Sequence, residues 1–139
     1  WRGGHMQPKA NYTEADLDGT GHEDAYICNG TGWSGRYFGM LSSTGTGVTA
    51  ARVYGATLPG WQMSANDRYY VGDFTGDGKA DLWVFNGLDW SIKYLGMLRS
   101  TGTDLVMSQL YSGSLPGWTM NKNDQHWVGD FNGDGKADL

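Results

Sequence analysis

The residues best suited to chemistry in this chain are carboxylates gathered into short loops. Ten of the fifteen Asp and Glu fall in three windows: Asp16, Asp18, Glu23 and Asp24; Asp73, Asp77 and Asp81; Asp130, Asp134 and Asp138. Like charges this close repel, at roughly 4 kcal/mol per pair for 4 Å and an effective dielectric near 20. A solvated acidic turn accounts for one such window, but three with the same internal spacing ask for a cation. The loop 73–81 sets oxygen side chains at positions 1, 3, 5 and 9 (Asp73, Thr75, Asp77, Asp81), and Lys79 offers a backbone carbonyl at position 7. The third window repeats this with Asp130, Asn132, Asp134, Lys136 and Asp138. The first reads Asp16, Asp18, Thr20, His22 and Asp24, with one carboxylate moved from position 5 to position 3. Alternating oxygen ligands around glycines suit Ca²⁺, which accepts irregular oxygen shells at about 2.3–2.6 Å. An EF-hand is excluded, because position 12 is Ile27 or Val84 rather than a bidentate Glu. His22 stands at a backbone-ligand position and reads as exposed and incidental, not as a zinc ligand. Three bound Ca²⁺ would carry the net charge from −5 to about +1.

Other chemistries find little support. No Gly-x-Ser-x-Gly elbow or His-Glu-x-x-His helix motif occurs, and none of the 3 His lies in a catalytic signature, so no enzyme is expected. The recurring Asp67 and Asp124 read as turn residues. Cys28 is the single Cys, which excludes an intrachain disulfide and a Cys-based zinc site. A net charge of −5 argues against nucleic acid, whose phosphates call for clustered Lys and Arg. No apolar run is long enough to span a membrane as a helix. The 7 Trp and 8 Tyr argue against a disordered acidic tail.

The loops recur because the whole chain does. A shift of 57 residues aligns 15–71 on 72–128 without a gap and with 25 identities. The expected organisation is an N-terminal segment with a partial first strand (1–14), two full repeats (15–71 and 72–128), and the start of a third (129–139). Each repeat reads as four short strands between Gly-rich turns. Strand a runs near 11–17, 68–74 and 125–131; in the second repeat, b covers 82–86, c 90–98 and d 105–111. No stretch holds a 3.6-residue period with caps, so no helix is expected. Four antiparallel strands at a fixed period with Gly and Trp landmarks predict an all-β fold of β-propeller blades, about 2.4 per chain. A β-solenoid is the alternative, though its repeats are usually shorter.

The acidic loop and its flanks, Val-Gly-Asp-Phe-(Thr/Asn)-Gly-Asp-Gly-Lys-Ala-Asp-Leu, resemble the FG-GAP or VCBS repeats of integrin-like β-propellers. The segments 84–90, 94–98, 100–102 and 115–118 narrow the likeness. With them, the chain from about residue 12 to its end resembles the fungal lectins of the Psathyrella velutina type. That resemblance implies a calcium-containing propeller that recognises terminal N-acetylglucosamine, and in some members sialylated glycans, at several equivalent sites between blades. Those lectins carry six or seven blades in one chain, so the assembly departs from the family pattern. An integrin-like adhesion or scaffold module without sugar binding is the second reading.

Strand order places a candidate sugar site independently. Antiparallel strands reverse at each turn, so the acidic loop (a to b) and the Ser-Thr-Gly-Thr turn (c to d) share one rim. The b-to-c turn and the Leu-Pro-Gly-Trp connection share the other. That second rim gathers Asn86, Asp89, Trp90 and Trp118 in one copy, and Asn29, Thr31, Trp33 and Trp61 in the other. Tyr37, Tyr94, Arg36 and Lys93 are adjacent candidates. Aromatic faces suit sugar C–H groups, and amides and carboxylates fix hydroxyls. For Trp61 and Trp118, packing between blades competes with binding.

Two blades leave edges and faces open, and repeat architectures generally need three units. The expected partners are therefore glycans and further copies of the chain, a homo-oligomer in which the duplicated strand a completes a blade across the junction. An excerpt of a longer propeller is the alternative. Calcium loops of this kind work where calcium is millimolar, which points outside the cell, with cytoplasmic storage as the alternative.

Overall fold

The structure is a computed structural model that describes residues 4–5 (as backbone), 12–28, 36–87 and 91–139. Among the described residues every regular element is a β-strand paired antiparallel, and there is no helix. The chain opens with β1 (Gly4–His5). A four-stranded sheet follows from β2 (Tyr12–Ala15), β3 (Asp24–Cys28), β4 (Phe38–Ser43) and β5 (Val48–Tyr54), paired in chain order. A small hairpin of β6 (Thr57–Leu58) and β7 (Trp61–Gln62) leads to β8 (Arg68–Gly72), β9 (Asp81–Phe85), β10 (Tyr94–Ser100) and β11 (Leu105–Ser112). These four form the second sheet, and β1 adds a fifth strand along β8. A second hairpin, β12 (Ser114–Leu115) and β13 (Trp118–Thr119), precedes the last acidic loop.

The sequence period is written into this geometry. β3 and β9, β6 and β12, and β7 and β13 begin and end 57 residues apart. The register shift after Met40 recurs after Met97. Each sheet takes its first strand mainly from the end of one repeat and the other three from the next. Both hairpins turn on Pro-Gly, with Gly60 at φ 70° and Gly117 at φ 79°. Proline presets the first turn position and glycine supplies the left-handed second.

Burial separates the two sheets. In β2 exposed and buried residues alternate, while four of the five residues in each of β8 and β9 are buried. A strand covered on both faces loses its alternation. One face of the second sheet (Tyr69, Val71, Leu82, Val84, Leu98) joins Tyr26, Phe38 and Met40 of the first in a common core. Its other face (Tyr70, Phe85, Leu95) meets Met120 and Val128 from the end of the second repeat and Leu139 of the third. Between the sheets, the Trp61 ring lies over Gly96: a Cβ at Gly96 would stand 3.0 Å from Cε3 and Cζ3 of that ring. Tyr54 bridges the outer strands, donating its hydroxyl to the Asp104 carboxylate and accepting the Leu105 amide at 2.7 Å. Burial and that carboxylate push the Tyr54 phenol up to about 12.

Strands b and d lie where the sequence places them, within a residue. Strand c begins at Tyr94 rather than near 90, for a physical reason. Asn86 donates its side-chain N–H to the Ile92 carbonyl and accepts the Tyr94 amide, both at 2.9 Å, so the residues just before Tyr94 are held as a turn. The third strand a, expected over 125–131, contributes a single bridge from Gly129 to Asp138. The two hairpins were too short to show any alternation in the sequence. His126 is half-buried, its ring 4.9 Å from Phe85 and 5.3 Å from Tyr70, while the adjacent Trp127 is exposed. Burial holds its pKa below the usual value.

The two equivalent glycines of the third strands make a matched test. Gly96→Ala drives a methyl into the Trp61 ring and should cost about 1–3 kcal/mol, the usual penalty of overpacking. At Gly39 a Cβ meets nothing closer within the chain than backbone oxygens at 4.0 Å, so in the single chain at high dilution Gly39→Ala should leave the denaturation midpoint unchanged or raised. Urea unfolding followed by tryptophan fluorescence reads both.

Candidate functional site

Two sites lie on opposite rims, as antiparallel order requires. On the first rim the three acidic loops share one backbone geometry. In each, the leading Asp (Asp16, Asp73 or Asp130) accepts three successive backbone amides from positions 4, 5 and 6 at 2.7–3.1 Å. The chain can curl this tightly because positions 4 and 6 are glycines at φ 76–85° (Gly19, Gly21, Gly76, Gly78, Gly133, Gly135). L-residues with side chains rarely adopt that conformation.

The closing Asp ties the loop to its sheet. Asp24 accepts the amides of Leu17 at 3.0 Å and Ser43 at 2.6 Å. Asp81 accepts Thr75 at 3.1 Å and Ser100 at 2.8 Å. Asp138 accepts Phe131 at 2.9 Å. Ser43 and Ser100 end the third strands, so these bonds bring the c-to-d turn onto the loop. Burial pushes the Asp81 carboxyl up to about 6, against the opposing pull of its two amides. Asp24 and Asp81 are both buried acceptors, and a carboxylate charge held out of water is costly without positive charge nearby.

The side-chain oxygens differ between loops. In the first, oxygens of Asp16, Asp18 and Asp24 all lie within 4.8 Å of one another. Thr20 contributes its amide to Asp18, and its hydroxyl lies 3.5 Å from the ring of His22, which is exposed. In the second, Asp77 accepts the Lys79 amide and pairs with the Lys79 ammonium at 3.7 Å. The Thr75 Oγ1 is buried and has no hydrogen-bond partner among the described residues. In the third, Asn132 accepts the Asp134 amide at 2.8 Å, Asp134 accepts that of Lys136 at 2.9 Å, and the loop is exposed. The loops also stack: Ala80 donates to the Asp16 carbonyl at 2.7 Å and Ala137 to that of Asp73 at 2.8 Å. The donor set is oxygen throughout, hard and anionic, and fits Ca²⁺ better than a soft metal.

On the opposite rim a cleft of about 230 Å³ opens between consecutive units, lined by Gly60, Trp61, Gln62, Asn86, Tyr94 and Leu110. Three of these, Trp61, Asn86 and Tyr94, come from the sequence-derived sugar set and arrive from two different repeats. Gln62 and Leu110 do not stand out in the sequence; each is an ordinary strand residue that only the stacking of units brings to the cleft. Asn86 is buried and both ends of its amide serve the turn. Trp61 is buried too, and its indole N–H is bound to Asp67 at 2.8 Å. Tyr94 is half-buried and Gln62 exposed, so these two offer the accessible ring and the accessible amide. Arg36 donates to the Met63 carbonyl at 3.3 Å, and so ties the first sheet to the connection. Tyr37 and Trp118 are exposed and Lys93 is half-buried. Asn29, Thr31, Trp33, Asp89 and Trp90 lie outside the described residues.

Asp67 and Asp124 are turn residues with a second task. Asp67 accepts the Ser64 amide at 2.9 Å besides the Trp61 indole, and Asp124 repeats this with Asn121 and Trp118 at 2.7 and 3.0 Å. Comparison with protein-family models, with curated proteins and with solved structures finds no match to this chain.

The paired Trp-Asp bonds differ in burial, which sets their worth. Asp67→Ala strands a buried indole N–H and a turn amide and should cost about 1–3 kcal/mol. Asp124→Ala frees an exposed indole that water can satisfy, so thermal denaturation should show a clearly smaller loss.

Proposed function

We propose that this chain is a calcium-containing, non-catalytic lectin built of β-propeller blades, which binds terminal N-acetylglucosamine-type glycans in clefts between successive blades. The observation that carries this reading is the cleft on the rim away from the acidic loops. Trp61 and Tyr94 supply apolar walls, and Gln62 supplies an accessible amide. Its volume, about 230 Å³, lies below the roughly 300–1,000 Å³ of drug-sized pockets and suits a single sugar ring. The 57-residue period supports several equivalent clefts on one particle, and several weak sites on one rim multiply avidity. Partners are then glycans of glycoproteins, met outside the cell.

Calcium in this reading is structural. It would be held by Asp16, Asp18 and Asp24 in the first loop and by the corresponding oxygens of the others, with the Thr75 hydroxyl available to the second. The ion supplies positive charge to carboxylates that the fold holds close together, while the sugar cleft uses none of these residues. The alternative is an integrin-like scaffold that keeps the calcium loops and binds protein.

Calcium removal is the first check. The thermal midpoint should fall in EDTA and recover with added Ca²⁺ but not with Mg²⁺, and an EDTA-insensitive melt would remove calcium from the proposal. A glycan array probed with calcium-loaded protein is the second. Binding to terminal N-acetylglucosamine should weaken about tenfold or more in Tyr94→Ala and Gln62→Ala, each loss equal to about 1.4 kcal/mol. A folded, calcium-loaded protein that binds no glycan favours the scaffold.

A further inference from the structure

The junction between the two sheets has a knob and a seat, and among the described residues one further copy of each is left unused. The knob is the tryptophan of the Leu-Pro-Gly-Trp hairpin. The seat is a row across the next sheet, fixed by strand register: Tyr69 pairs with Val84, Val84 with Gly96, and Gly96 with Leu110. Trp61 fills that seat by lying over Gly96. The same register on the first sheet aligns Tyr12, Ile27, Gly39 and Val53. Nothing among the described residues lies over Gly39, where a Cβ would meet no side chain within 4 Å.

Exposure separates the used pair from the unused one. Trp61 is 7% exposed and Trp118 60%; Tyr69 is 6% and Tyr12 57%; Val84 is 0% and Ile27 36%. Yet Trp118 is already oriented for the task, since its indole is bound to Asp124 as Trp61 is to Asp67. An exposed apolar row and an exposed, pre-oriented indole are costly features unless they meet a partner. Their complementarity is that of a contact the molecule already makes.

We infer that this chain self-associates head to tail, with Trp118 of one copy seated over Gly39 of the next. This stands on the exposure of Trp118, Tyr12 and Ile27 and goes beyond the sugar-binding reading. Knob and seat lie on different surfaces, so the contact is heterologous and propagates until a ring closes.

The test uses two point variants of the full chain. Gly39→Leu fills the seat at a strand position with room for a side chain, and Trp118→Ala removes an exposed ring, so both should keep the wild-type circular dichroism. By light scattering, the wild type should weigh a multiple of 15.2 kDa, and each variant alone 15.2 kDa. Mixed, they should form a one-to-one dimer, because Gly39→Leu retains the knob and Trp118→Ala retains the seat. A 15.2 kDa wild type at all concentrations overturns the inference. So does assembly that persists in both variants, or a mixture that stays monomeric while the wild type assembles. If a variant loses its circular dichroism, the milder Gly39→Val or Trp118→Gln takes its place in the same mixture.

Discussion

The Trp61 ring over Gly96 is the contact on which the other features of this molecule depend. A four-stranded sheet of this length has two faces and cannot bury either by itself, so it must be stacked. Stacking requires the connection between sheets to arrive at a fixed height and angle. The Pro-Gly turn sets the direction, Asp67 holds the indole, and the missing side chain at Gly96 leaves room for the ring. With that distance set, Tyr26, Phe38 and Met40 of one sheet close on Tyr69, Leu82 and Val84 of the next. The cleft lined by Trp61 and Tyr94 is what the closure leaves open at the far rim.

The acidic loops are governed by a different constraint, the crowding of like charge. Each leading carboxylate is partly neutralised by three backbone amides that the left-handed glycines turn inward, an anion-holding concavity made by the main chain itself. The closing carboxylates spend their oxygens on amides of the loop and of the third strand. These bonds couple loop, turn and sheet into one rigid rim. They do not cancel the charge of three acids in nine residues, which is the physical reason a divalent cation suits them. Because the acidic loops and the cleft sit on opposite rims, either can vary without disturbing the other.

Much of this was legible in the sequence because the period is a long-range signal that needs no structure to be seen. Asp73 to Asp81 shows its loop by spacing alone, and the Gly at positions 4 and 6 announces the turn. Strands b and d show through β-branched and aromatic residues. The start of strand c was not legible, since it depends on one buried amide, that of Asn86, reaching across a turn to Ile92 and Tyr94. The hairpins of Trp61 and Trp118 were equally hidden, because two-residue strands carry no periodicity. Gln62 and Leu110 carried no signal: neither type nor spacing marks a residue whose only distinction is what stacks opposite it.

The sequence by itself determined an all-β chain with a 57-residue period, three oxygen-rich loops and the order of turns along two rims. Those follow from local rules: pleat alternation, the φ freedom of glycine, and repetition. Tertiary structure alone decided which of two equivalent tryptophans is buried. Trp61 and Trp118 sit in nearly the same local sequence and make the same bond to an Asp, yet one is 7% exposed and the other 60%. Burial is a property of the neighbour, and Trp61 has the second sheet over it while Trp118 has none among the described residues.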